Sequence, residues 1–84
     1  MYSQTWIILV ISYMLISCEI GKEQSVFSLL SKIPEIKNCL ITYGSYDLVA
    51  KFETLSTKKM NEVISSKIRQ LENVRSTITL RVID

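Results

Sequence analysis

The spacing of apolar positions along the chain switches repeatedly between the period of a strand and that of a helix. Residues 6–18 are almost unbroken apolar sequence, and Ile7, Ile8, Val10, Ile11 and Ile16 give them a β-branched bias. This predicts a first strand centred on residues 13–20 and starting as early as Trp6. Gly21 ends it, and Lys22-Glu23-Gln24 opens a helix with an acid in its first turn, where the helix dipole favours it. Val26, Phe27, Leu30 and Ile33 share one helical face, with Ser25, Ser28 and Lys32 outside it. Pro34 stops the helix, because the residue before a proline disfavours the α region. Residues 36–43 are again apolar and β-branched, which predicts a second strand. Tyr43, Gly44, Ser45, Tyr46 and Asp47 then form a tight polar turn: Gly44 takes φ > 0 without steric cost, and Ser45 and Asp47 bond nearby backbone. Beyond it Leu48, Ala50 and Phe52 alternate with Val49, Lys51 and Glu53, the period of a two-faced strand. The result is a β-hairpin with a carboxylate and two tyrosines at its tip. Ser56 or Thr57 caps a second helix, striped by Met60, Val63 or Ile64, Ile68 and Leu71. Lys59, Glu62, Ser66, Arg69 and Gln70 face water. After Asn73, a residue suited to the left-handed region, Val74, Ile78, Leu80 and Val82 alternate with Arg75, Thr77, Thr79 and Arg81. This final strand is expected to turn its polar set away from the helices or toward a shared interface.

The order β-α-β-β-α-β predicts an α+β, ferredoxin-like fold: a four-stranded antiparallel sheet with two helices on one face and strand one between strands three and four. The other face is left open, with Tyr13, Leu15, Ile41, Tyr43 and Val49 in reach, a sizeable apolar patch. A chain of 84 residues buries only about 60% of its extended surface, so its own core is thin. Yet 48% of the residues are apolar. The surplus points to a face buried against a second copy of the chain.

Composition removes several classes of function. Ten Lys and Arg against eight Asp and Glu leave a net charge of +2, scattered rather than gathered into a nucleic-acid footprint. There is no histidine, so the usual neutral-pH acid/base and zinc ligand are missing. Cys18 and Cys39 form no C-x-x-C, no metal or redox motif is supported, and two buried reduced thiols are expected. The apolar start lacks the basic residues of a signal peptide, since no Lys or Arg precedes Lys22. Interrupted by Ser12, Tyr13 and Ser17, it is also short of the ~20 residues of a membrane span. No Ser, Cys or Lys has an identifiable activating base, so no catalytic residue, metal or cofactor is expected. Asp47 beside exposed backbone N–H groups suits the two ends of a zwitterion; equally, it can tie its own turn together.

Three stretches carry a resemblance: Lys32-Ile33-Pro34-Glu35-Ile36, then Tyr43-Gly44-Ser45-Tyr46-Asp47-Leu48, then residues 67–80 with Asn73-Val74 and Ser76-Thr77-Ile78-Thr79. Together they resemble the C-terminal effector (RAM) domain of the Lrp/AsnC transcription regulators, with Asn73 where that family usually has glycine. The resemblance covers residues 12–84, leaving residues 1–11 as an N-terminal extension or the early part of strand one. Those eleven leave no room for the helix-turn-helix domain of full-length regulators, which implies a stand-alone effector domain that does not read DNA itself. The family further implies a cytoplasmic homodimer paired through its sheets and assembled into tetramers or octamers. It implies an amino-acid effector at the dimer–dimer interface, partnership with full-length regulators, and no membrane. By position, Tyr43, Gly44, Ser45, Tyr46 and Asp47 would supply backbone groups and a carboxylate for the amino group, with Thr77 and Thr79 adding polar contacts. The alternative is a purely structural oligomerisation module with a degenerate pocket. A small ferredoxin-like enzyme is the third reading.

Overall fold

In the computed structural model, which describes residues 9–83, strand β1 runs Val10–Cys18 and α1 follows at Glu23–Leu30. β2 is Ile36–Ile41, β3 is Leu48–Thr54, α2 is Thr57–Val63 and β4 is Val74–Arg81. The sheet order is β2-β3-β1-β4 and every pairing is antiparallel, so the chain has the ferredoxin-like α+β fold expected from its order of elements. Val10 and Ile11 belong to β1. The expectation that the strand begins near Trp6 lies outside the described residues.

Why the elements stop where they do follows from local backbone chemistry. β1 ends at Cys18, two residues earlier than the sequence pattern predicts, because Glu19 donates its N–H to Asn73 (2.8 Å) and the chain turns through Gly21 at φ 79°. α1 stops at Leu30, ahead of Pro34. The N–H groups of Lys32 and Ile33 reach back only three residues, to Leu29 and Leu30, which tightens and closes the last turn. Ser56 caps α2, its Oγ accepting the Lys59 N–H at 3.0 Å. The helix then widens into a π turn over Ile64–Ile68, where Arg69 N–H bonds the Ile64 carbonyl at 2.9 Å. Fewer degrees per residue keep Met60, Ile64 and Ile68 on one face, and Val63 is buried beside them.

The core lies between one sheet face and the two helices. β1 contributes Met14, Ile16 and Cys18, β3 contributes Leu48, Ala50 and Phe52, and the helices add Val26, Leu30, Met60, Val63, Ile64 and Ile68. The buried Ser12 hydroxyl donates to the Met60 sulfur, and Thr54 Oγ1 donates to the Ser56 carbonyl, so neither enters the core without a partner.

β4 corrects the sequence reading of its faces. Thr77 pairs with Ile16 and Thr79 with Met14, both core residues, so these threonines lie on the helix side. Ile78 pairs with Leu15 and Leu80 with Tyr13, on the open face. β4 is an edge strand, and on its helix side Thr77 is half-buried and Thr79 exposed, so it needs no apolar set there. Ile41 moves the other way: it pairs with the buried Leu48 and belongs to the helix side. The open face therefore carries one dry row across all four strands, Leu40, Val49, Leu15 and Ile78 in register. Beside it runs a mixed row of Asn38, Lys51, Tyr13 and Leu80. Cys18 and Cys39 are both free and sit on β1 and β2 with β3 between them. No helix among the described residues is long and apolar enough to cross a membrane.

Candidate functional site

Antiparallel pairing brings three connections to the end of the sheet where β1 finishes: residues 19–22, 42–47 and 69–73. The middle one is the hairpin turn, and its bonds explain its shape. Thr42 N–H donates to the Asp47 carbonyl (2.8 Å) and Thr42 Oγ1 donates to the Tyr46 carbonyl (2.9 Å), closing the loop across its base. Gly44 at φ 143° has open space where a side chain would stand, so its requirement is conformational. Asp47 then fastens the turn to β1 twice. Its N–H donates to the Ile16 carbonyl (2.9 Å), and its Oδ2 accepts the Cys18 N–H (2.8 Å).

Between this turn and the start of α1 lies an open concavity of about 570 Å³, lined by Glu23, Gln24, Ile41, Thr42, Tyr43, Gly44 and Asp47. Of the residues expected from the sequence, Tyr43, Gly44 and Asp47 meet here. Ser45 and Tyr46 occupy the same turn outside the lining. Thr77 lies across β1, in a separate concavity of about 280 Å³ with Arg69, Val74, Arg75 and Ser76. Thr79 is further along the same edge strand, opposite Met14.

Sequence reasoning missed Glu23, Gln24, Ile41 and Thr42. The signal was in the topology: a β1–α1 connection and a β2–β3 turn must share one end of this fold, so the first turn of α1 faces the hairpin. The lining holds two carboxylates and no basic side chain, which favours a cationic or ammonium-bearing guest. Cys18 lies beneath, 4% exposed. Its thiol is pushed up to about 11 by burial first, then by the charges of Asp47 and Glu23, a hydrogen bond to Asp47 and the charge of Glu19.

The fold and site together are a ferredoxin-like sheet with an open, acid-lined concavity formed by its hairpin turn and the start of α1. Comparison with known proteins gives the family. The model for the Lrp/AsnC ligand binding domain matches residues 12–84, and the chain belongs to that family. It is 32% identical over 74 residues to the HTH-type transcriptional regulator FL11 of Pyrococcus furiosus, a match covering 88% of this chain and 48% of that protein. The chain thus spans about half the length of the curated relatives it matches. Among solved structures, a hypothetical protein of Pyrococcus horikoshii superposes with TM-score 0.81 at 36% identity, over 89% of this chain and 90% of that one. A transcriptional regulator of Neisseria meningitidis, solved as a complex with L-Met, shares the fold at TM-score 0.81 and 13% identity, over 89% of this chain and 50% of that one.

Proposed function

We propose that this chain is a non-enzymatic, cytoplasmic amino-acid-sensing and oligomerisation domain that modulates Lrp/AsnC-type transcription regulation and leaves DNA reading to other protein. The observation that carries the reading is the acidic concavity built by the hairpin turn inside a domain of the Lrp/AsnC ligand-binding family. The Asp47 carboxylate and the turn's backbone groups would receive the ammonium, and Tyr43 and Gly44 would shape the wall. Ser45, Tyr46, Thr77 and Thr79 would contact the effector only from a neighbouring copy or after assembly. The lining offers no basic side chain to the effector's carboxylate, which supports a guest held between two dimers, as an open pocket completed by a second subunit. Two chains would pair through the apolar row of the open sheet face, and dimers would assemble further, with full-length regulators as partners. The structure of a regulator with the same fold in complex with L-Met supports the amino-acid class.

One observation favours a second reading. Asp47 already accepts the Cys18 N–H, so its carboxylate has a structural task, as in an oligomerisation module with a degenerate pocket. Melting temperature against a panel of the common amino acids, in chelator, separates the two. A ligand at a hundredfold excess over its dissociation constant adds about 2.7 kcal/mol, on the order of ten degrees for so small a domain. A selective rise identifies the effector. A flat panel leaves the structural module.

A further inference from the structure

The Cys18 Sγ and one carboxylate oxygen each from Glu23 and Asp47 all lie within 4.8 Å of one another. They come from three separate segments: the last residue of β1, the first turn of α1 and the end of the hairpin turn. Among the described residues, neither carboxylate has a Lys or Arg within ion-pairing distance. Asp47 spends one oxygen on the Cys18 N–H, so the turn and the β1 terminus are held in place before any guest arrives. The concavity beside Glu23 and Asp47 provides the entry path and room for a water ligand.

We propose that Cys18, Glu23 and Asp47 form a three-ligand site for a thiophilic divalent cation of the zinc class, completed by water from the concavity. The ligand chemistry selects the cation. One sulfur with two carboxylate oxygens is a donor set that Zn²⁺, Co²⁺ and Cd²⁺ accept, whereas Mg²⁺ and Ca²⁺ take oxygen alone. Ligand atoms around tetrahedral zinc stand roughly 3.5 Å apart, so the cluster has to contract by about 1 Å. Glu23, half-buried at the first position of α1, has three rotatable side-chain bonds with which to close that gap. Binding breaks the S–H bond of Cys18 and forms a metal–sulfur bond. The proton leaves to solvent, and a cluster carrying two negative charges beside a neutral thiol becomes one carrying a single net negative charge. The site does not rest on the sensing role: it is complete within one chain and needs no amino acid.

The test uses the full chain carrying Cys39→Ser, freed of metal by chelator and desalted, so that Cys18 is the sole thiol. Titration with CdCl₂ should raise a thiolate-to-cadmium charge-transfer band that saturates at one cation per chain, and CoCl₂ should give the visible bands of a low-symmetry thiolate site. Glu23→Gln and Asp47→Asn should each weaken binding at least about tenfold, the lower end of what even outer-shell partners cost. Asp47→Asn keeps an acceptor for the Cys18 N–H, and circular dichroism verifies the fold of both variants. A large excess of MgCl₂ should not displace the cadmium. The proposal is overturned if no band forms, if neither carboxylate variant changes the affinity, which would mean adventitious thiol binding, or if Mg²⁺ competes. Because the amino-acid panel is run in chelator and this titration without amino acids, either reading can fail alone.

Discussion

Asp47 shows how one side chain can serve fold and site together. The sequence placed it at the tip of a hairpin and left two roles open, a ligand for an ammonium group or a tie for its own turn. The structure shows a third, in which Oδ2 bonds a neighbouring strand at Cys18, well away in sequence. No local pattern announces such a bond, because its partner is the backbone N–H of β1 and any residue could have supplied it. Asp47 also acts on the Cys18 thiol, which burial first, and then the charges of Asp47 and Glu23, hold at about 11 against an ordinary 9.0. The folded chain therefore keeps its proton when the unfolded chain has lost it. The thiol's contribution to folding stability is fully present below pH 9.0 and is lost as pH rises toward about 11. Urea midpoints measured across that range in chelator should fall more steeply for the native protein than for Cys18→Ser, whose hydroxyl does not titrate. The comparison of slopes removes the contributions of Tyr, Lys and Cys39, which both proteins share. Equal slopes would mean that the thiol is not perturbed by its surroundings.

At the level of elements, the sequence was most legible where a residue type has one backbone use. Asn73 adopts φ 73° as expected for a left-handed position ahead of β4, and Gly21 and Gly44 mark the other two turns. The hydrophobic stripe of α2 was equally readable, but its geometry was not. The pattern leaves Val63 and Ile64 as rivals for one site, since at 3.6 residues per turn Met60, Ile64 and Ile68 drift round the helix. A π turn resolves the rivalry by burying both, and it is settled by packing against the sheet rather than by any residue's propensity. The cap was likewise narrowed to two residues and then decided by geometry, with Ser56 rather than Thr57 accepting the Lys59 N–H. Ser56→Ala should destabilise the domain by about 1 kcal/mol, with Thr57→Ala costing clearly less. In thermal denaturation that difference corresponds to roughly 4–8 °C for a domain of this size. If Thr57→Ala proved the more damaging, the helix would start one residue later in solution.

For the whole molecule, the decisive feature is where apolar surface remains once the core is filled. The sequence showed the surplus and assigned it to an open sheet face, yet it misread the faces of two strands, because alternation gives two faces without saying which is inside. In β4 the threonines face the helices and Ile78 and Leu80 face out; in β2 Ile41 faces the helices and Leu40 faces out. Register settles what alternation leaves open: Leu40, Val49, Leu15 and Ile78 align across four strands. Leu40 is 55% exposed and Ile78 42%, so a charge at either position costs the isolated chain little. Placed in a sheet-to-sheet interface, the same charge would be buried against the partner's apolar row without a counter-ion. Ile78→Lys should therefore shift the protein from dimer to monomer in sedimentation velocity while leaving its circular dichroism spectrum unchanged. Lys37→Glu, on the outer strand β2 and away from the dry row, is the control charge change and should leave the mass alone. A dimer that survives Ile78→Lys would place the interface elsewhere on the chain, and the apolar row would then have to be covered by a different partner.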